Sequence, residues 1–215
     1  MSFEPEVQTG WVEDALAREL PGLGLAWVDA PAPDGTRSPA GLQARLRGLA
    51  DRWSGPRAVT MRREPVPAAY RAFSRHVGLD PEVDRPPVEA ALVERLMHGG
   101  FRSRGCVADA LLVGALETGV PLWALDAGRV SGPLGVRAAR TGERLGEGDL
   151  ASDVAGRLVV ADAAAPVAML LGAVADGCGP VAGTRRLRVF AVAVAGVPRA
   201  HVEEALWVAA EALDG

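Results

Sequence analysis

What the chain lacks constrains its chemistry as much as what it carries. All 23 of its Lys-plus-Arg residues are arginine, and lysine, asparagine and isoleucine do not occur in the 215 residues. The missing types share AT-rich codons, so a GC-rich genome is the first explanation. The chemistry is removed all the same: there is no amine for a Schiff base, a pyridoxal phosphate aldimine or a P-loop contact to a nucleotide phosphate. Every fixed positive charge is a guanidinium, which prefers flat, bidentate partners. The three histidines, His76, His98 and His201, show no HxxxH or HExxH spacing, and there is no CxxC, so no protein-built metal site is expected. His98, beside Gly99-Gly100, reads as a cation at a helix C-terminus. No GxSxG nucleophile elbow occurs. Cys178, in the loop sequence DGCGP, could expose a thiol but has no histidine nearby in sequence to activate it. Asp126 and Asp162 each close a short apolar run and read as turn residues bonding to their own backbone. No cofactor is implied.

Composition bounds the scaffold. At this length one domain is the default, and 49% hydrophobic residues suffice for a sizeable core. With only 5% aromatics that core must be built from Ala, Val and Leu, with the five tryptophans as its large pieces. A net charge of −4 argues against a protein that coats nucleic acid generally, while leaving local arginine clusters free to meet phosphates. Two cysteines are too few for a secreted disulfide framework. The start, MSFEPEVQTGW, has neither a basic nor an apolar leader region, and no uncharged apolar run nears the roughly 18 residues of a membrane helix. A soluble, cytoplasmic protein with no membrane partner is the expectation.

Periodicity supplies the elements that must position these groups. Helical spacing over residues 11–20 puts Val12, Leu16 and Leu20 on one face, ahead of Pro21-Gly22. A strand is expected at 23–28, then a loop, then a helix to Trp53 with Ser38 as N-cap, Pro39 at its first position, and Leu42, Leu46, Leu49 and Trp53 inward. Residues 54–66 read as a linker, ending in the solvated cluster Arg62-Arg63-Glu64. Helices follow at 67–77, 87–98 and 107–118, with glycine stops. Apolar runs at 122–125, 134–138, 158–161, 167–171 and 187–195 then predict a mostly antiparallel sheet. An amphipathic helix at 198–213, with Val202, Ala205, Leu206 and Ala209 inward, closes the chain. Helices bracketing a run of strands make the class α+β.

From Ala69 to about Thr184 the landmarks resemble the B3/B4 domain of the phenylalanyl-tRNA synthetase β chain, and more closely its free-standing single-domain relatives. They are AYRAFSRHVGLDPEVDRPPVEAALVERLMHGG, then CVADALLVGALETGVPLWALDAGRVSGPLGVRAARTGERL, then GRLVVADAAAPVAM, with Asp162 at the family's acidic position and Thr184 before the last long strand. The resemblance implies one B3/B4-type domain over 1–215. Within it, 1–66 would be a helix-strand-helix extension, 67–195 the core with a sandwich-like antiparallel sheet, and 196–215 a C-terminal helix. In the synthetase this domain carries the pocket that hydrolyses tyrosine wrongly attached to the phenylalanine tRNA. Asp109 matches the family's helix aspartate, Pro121 and Asp126 its turn and strand end, and Arg137, Gly142 and Glu143 its Arg-Ala-x-x-Gly-Glu segment. Three positions depart from it: Leu112 stands where relatives carry Asn, Trp123 replaces a pocket histidine, and VFAVAVAGV holds no Glu to read a tyrosine hydroxyl.

Two functions follow from the resemblance. In the first, the chain is a trans-editing hydrolase of misacylated tRNA. Asp109 and Glu143 then orient water or arginine, Arg104 and Arg137 meet phosphate or carboxylate, and no protein nucleophile is required. The plain structural alternative for these four is an internal Arg-carboxylate network. In the second, the chain is a noncatalytic module holding an RNA end or a small amino-acid-like ligand. Arg102, Arg104 and the Arg185-Arg186-x-Arg188 run then contact phosphate, and Trp123 offers a stacking face. The alternatives here are a solvated strand edge for the arginines and core packing for Trp123. Oligomeric state is left open.

Overall fold

The longest apolar run before residue 100 and the longest after it find each other. Residues Gly24–Pro31 (β3) and Arg186–Ala193 (β10) pair antiparallel over their whole lengths, from Arg186 opposite Pro31 to Ala193 opposite Gly24. The computed structural model in which they do so describes residues 5–146 and 152–215. The opening residues read above as lacking a leader fall partly outside that range. Gln8–Thr9 (β1) joins the other edge of β3 and Trp123–Asp126 (β4) the other edge of β10, giving a four-stranded sheet in the order β1-β3-β10-β4.

A second four-stranded sheet runs β2-β5-β8-β9, built from Trp11–Val12, Gly135–Ala138, Leu158–Ala161 and Pro166–Met169. Its β2–β5 pair is parallel and the others are antiparallel. Arg144–Leu145 (β6) and Ser152–Asp153 (β7) form a small separate ladder. Gly10 is the corner between the large sheets: its amide bonds to Leu25 O at 2.8 Å, and a Cβ there would stand 2.7 Å from Leu134 O. Only glycine lets the two backbones come this close.

Seven α-helices cover the sheets among the described residues: α1 (Asp14–Glu19), α2 (Ala40–Arg52), α3 (Gly55–Thr60), α4 (Pro65–His76), α5 (Pro87–His98), α6 (Cys106–Thr118) and α7 (Arg199–Asp214). The fold is α+β. α7 lies on β3 and β10 and against α6, burying Val202, Ala205, Leu206 and Ala209 as their spacing requires. α5 and α6 end at Gly99 and Gly119, whose φ values of 76° and 79° are the left-handed stops that glycine favours.

Three local expectations are corrected. Residues 11 and 12 are extended, not helical, because the Trp11 indole occupies the space a Cβ on Gly135 would fill while β2 pairs with β5. The expected linker at 54–66 is α3 followed by a 3-10 turn at Met61–Arg63, drawn into order by burial of Ala58 and Met61. Ser38 does not cap α2, whose N-cap is Pro39. Its hydroxyl is used elsewhere.

Candidate functional site

α6 is anchored at its N-terminus by a buried carboxylate. Asp109, only 1% exposed, accepts hydrogen bonds from Ser38 Oγ at 2.5 Å, Ser103 Oγ at 2.6 Å and the Arg104 amide at 2.9 Å. The charge is thereby satisfied without an ion pair, and the loop before α2 is tied to the turn before α6. Gly105 makes that turn possible. Its φ is 104°, a Cβ on it would lie 2.8 Å from Thr36 O, and the next amide, that of Cys106, donates to this same oxygen at 2.8 Å.

The loops so tied wall a cavity of about 630 Å³ between residues 32–36, the start of α6, β4 and the 179–184 loop. Leu111, Leu122, Trp123, Val174 and Leu187 supply apolar lining, and Asp34, Thr36 and Arg104 supply polar lining from exposed positions. Trp123 belongs to the core and stacks on Phe190, with ring centroids 5.6 Å apart and planes at 18°. Thr184 secures the covering loop: its hydroxyl donates to Asp126 Oδ2 at 2.7 Å and accepts the Val181 amide at 3.0 Å. Asp126 also caps its own turn through the Gly128 amide at 2.9 Å. Cys106 lines the cavity too, and burial, aided by the charge of Asp109, pushes its thiol up, away from the reactive thiolate.

The other nominated residues lie apart from this cavity. Arg137, on β5, makes a bidentate pair with Glu143 at 2.6 and 2.7 Å, and Glu143 also accepts the Arg140 amide. Hydrogen bonding from Arg137 holds the Glu143 carboxyl below the usual range. Neither residue lines the cavity. Arg186 and Arg188 converge on Asp29, opposite Arg188 in the ladder, at 3.0 Å and at 2.8 and 2.9 Å. Burial works to raise the Asp29 pKa, but the two guanidiniums outweigh it and hold it low. These arginines and Arg185 edge a groove of about 900 Å³ floored by Trp27, over which the Arg188 guanidinium sits at 5.4 Å. Arg104 pairs with Glu94, and Arg102 is exposed with no partner among the described residues.

Arg104 and Trp123 thus meet at one cavity, Arg185 and Arg186 in a separate groove, and Asp109 beneath the cavity wall. Sequence reasoning missed Leu111, Leu187 and the Asp34–Thr36 contribution. The available signal was the pair of Gly- and Pro-rich segments, APAPDGT at the end of β3 and DGCGPVAGT ahead of β10. Among the described residues no group of three or more His, Cys, Asp or Glu could hold a metal ion. None of the described helices is long and apolar enough to cross a membrane.

Comparison with known proteins points one way. Residues 69–176 match the family described as the B3/4 domain. The chain is 35% identical over 133 residues to the phenylalanine–tRNA ligase beta subunit of Streptomyces avermitilis, a match covering 62% of this chain and 13% of that protein. It is 47% identical over 74 residues to the corresponding subunit of Methylococcus capsulatus, covering 32% of this chain and 9% of that one. With Thiobacillus denitrificans the figures are 35% over 113 residues, 49% and 14%. The chain spans a small fraction of these relatives.

Proposed function

The chain belongs to the B3/4 domain family, and from that premise we propose that it is a tRNA-related module that holds an aminoacyl group, or another small amino-acid-like ligand, in the cavity beside the α6 N-terminus. The carrying observation is the cavity itself: about 630 Å³, apolar in most of its lining, with polar groups at exposed positions. Ligand sites of this size combine apolar walls with a few placed polar groups. Binding is favoured over hydrolysis because the two carboxylates nominated for water activation are committed elsewhere, Asp109 to two hydroxyls and an amide and Glu143 to Arg137.

A second reading, hydrolysis of the aminoacyl ester of a misacylated tRNA, draws on one observation. The first turn of α6 meets the cavity through Val107 and Ala108 and has no side-chain cap, and with the Cys106 amide committed to Thr36 O, the N–H groups of Val107 and Ala108 are the donors this reading assigns to a developing oxyanion. The test measures binding and turnover on one panel of aminoacylated tRNAs. Saturable binding that prefers aminoacylated to uncharged tRNA and weakens with salt, without ester loss above buffer background, is the expected result. Turnover above background moves the conclusion to the hydrolase. Equal affinity for charged and uncharged tRNA sinks the cavity's role altogether.

A further inference from the structure

The arginine-edged groove and the α6 cavity adjoin one short segment of chain, and we infer that the groove holds backbone phosphates of an RNA strand whose aminoacylated 3′ end occupies the cavity. This rests on the aminoacyl-site reading above and adds the path of the strand. Gly183 and Thr184 wall the α6 cavity, Arg185 and Arg186 wall the groove, and all four wall a third hollow of about 450 Å³. A ligand too long for the cavity is thereby led along residues 183–186 to the arginines. The segment is held in place. Thr184 Oγ1 donates to Asp126 and accepts the Val181 amide, and the Arg185 carbonyl accepts the Ala32 amide at 3.0 Å. Trp27, Asp29 and the three arginines all lie outside residues 69–176, so the match to the B3/4 family assigns nothing to the groove.

The charges divide into a pin and a pair that faces solvent. Arg188 is the pin: Nε and Nη2 donate to the Asp29 carboxylate, Nη1 donates to Gly132 O at 2.8 Å, and the guanidinium sits over Trp27. Arg186 donates one bond to Asp29 through Nη2 and its side chain is 65% exposed. Arg185 is exposed and makes no ion pair among the described residues. Three arginines thus meet two carboxylates, those of Asp29 and the exposed Glu6, and the groove carries a positive excess in a chain of net charge −4. In the third hollow Asp126 is engaged by Thr184, by the Gly128 amide and, at 3.9 Å, by Arg129. Guanidinium forks take phosphate oxygens through charge-assisted hydrogen bonds. Adjoining hollow and groove suit charges strung along a chain better than a single small anion.

The experiment uses the full chain and one non-hydrolysable probe in two lengths: 3′-phenylalanylamino-3′-deoxyadenosine alone, and the same residue ending a single-stranded RNA of about eight nucleotides. Calorimetry at low salt is expected to show the RNA bound about tenfold more tightly than the nucleoside, an advantage that shrinks as salt rises. Arg185→Ala and Arg186→Ala, both at exposed positions, should each flatten the salt dependence of RNA binding by about 0.7 in log–log slope and leave the nucleoside affinity unchanged, with thermal unfolding followed in parallel. Arg47→Ala, exposed on α2 and lining neither the cavity, the hollow nor the groove, should leave the advantage in place. Equal affinities for the two probes overturn the inference and leave the aminoacyl site standing. An advantage that survives in the folded double variant, or that falls as far with Arg47→Ala, overturns it too. So does displacement of the RNA by inorganic phosphate at matched phosphate concentration and ionic strength, which marks a site for a single anion. If the same RNA ending in plain adenosine binds equally well through Arg185 and Arg186, the groove stands and the aminoacyl reading falls. If neither probe binds, both fall.

Discussion

Asp109 carries a negative charge almost wholly out of water and is tolerated there because three donors converge on it. Removing the carboxylate strands those donors, and a buried donor left unpaired costs about 1–3 kcal/mol. Ser38 is buried while Ser103 can turn to solvent, so the penalties do not all apply. Asp109→Ala is therefore expected to lower the unfolding free energy by about 2–4 kcal/mol in urea denaturation. Asp109→Asn, which keeps one acceptor oxygen, should lose less. A loss below 0.5 kcal/mol would contradict the anchoring role. It follows that activity lost in Asp109→Ala cannot by itself be read as lost catalysis. Leu111 is the cleaner probe of the cavity.

Among the elements, α6 and α7 show how one substitution can change sign with context. Gly114 lies where they cross: a Cβ there would stand 2.7 Å from Leu122 Cδ1 and 2.9 Å from Ala205 O. Alanine gains about 1 kcal/mol over glycine in a helix, but overpacking costs about 1–3 kcal/mol, and a backbone oxygen cannot swing aside as a side chain can. Gly48, on the exposed face of α2, has nothing within 4 Å of the same added atom. Gly114→Ala is expected to depress the melting temperature and Gly48→Ala to raise it. Shifts of the same sign would mean that the helix crossing is looser than its geometry. Helices 4 to 7 were legible from sequence because proline starts, glycine stops and a 3.6-residue period are local signals. The β2 strand was not. The period of residues 11–20 is helical, and the pairing that overrides it comes from residues 135 and 136.

At the scale of the whole molecule, stability against acid depends on carboxylates paired with arginines of both large sheets. Asp29 and Glu143 have folded pKa values held low. Their contribution is complete above the unfolded carboxylate values, about 4, and is lost as pH falls through the folded ones. Glu89, on α5 beside Arg71, has the opposite sign: burial raises its pKa, so its contribution favours the acid side and is lost as pH rises through the folded value. Urea midpoints between pH 3 and 7 should accordingly fall less steeply in Glu143→Gln and more steeply in Glu89→Gln. A parallel response in the two variants would contradict these environments. The same scale separates what the chain announces from what folding decides. Residue types alone determined that arginine is the only fixed cation, that lysine chemistry is excluded, and that helices bracket a run of strands, because composition and period are properties of neighbours along the chain. Tertiary structure decided that Trp123 and Arg104 meet at one cavity, that Ser38 bonds Asp109 instead of capping α2, and that Glu143 answers Arg137. The cavity is walled by loops at 32–36 and 179–184 and by residues 104–108 at the start of α6, and only the pairing of β3 with β10 and the Asp109 anchor bring segments so distant in sequence to one place.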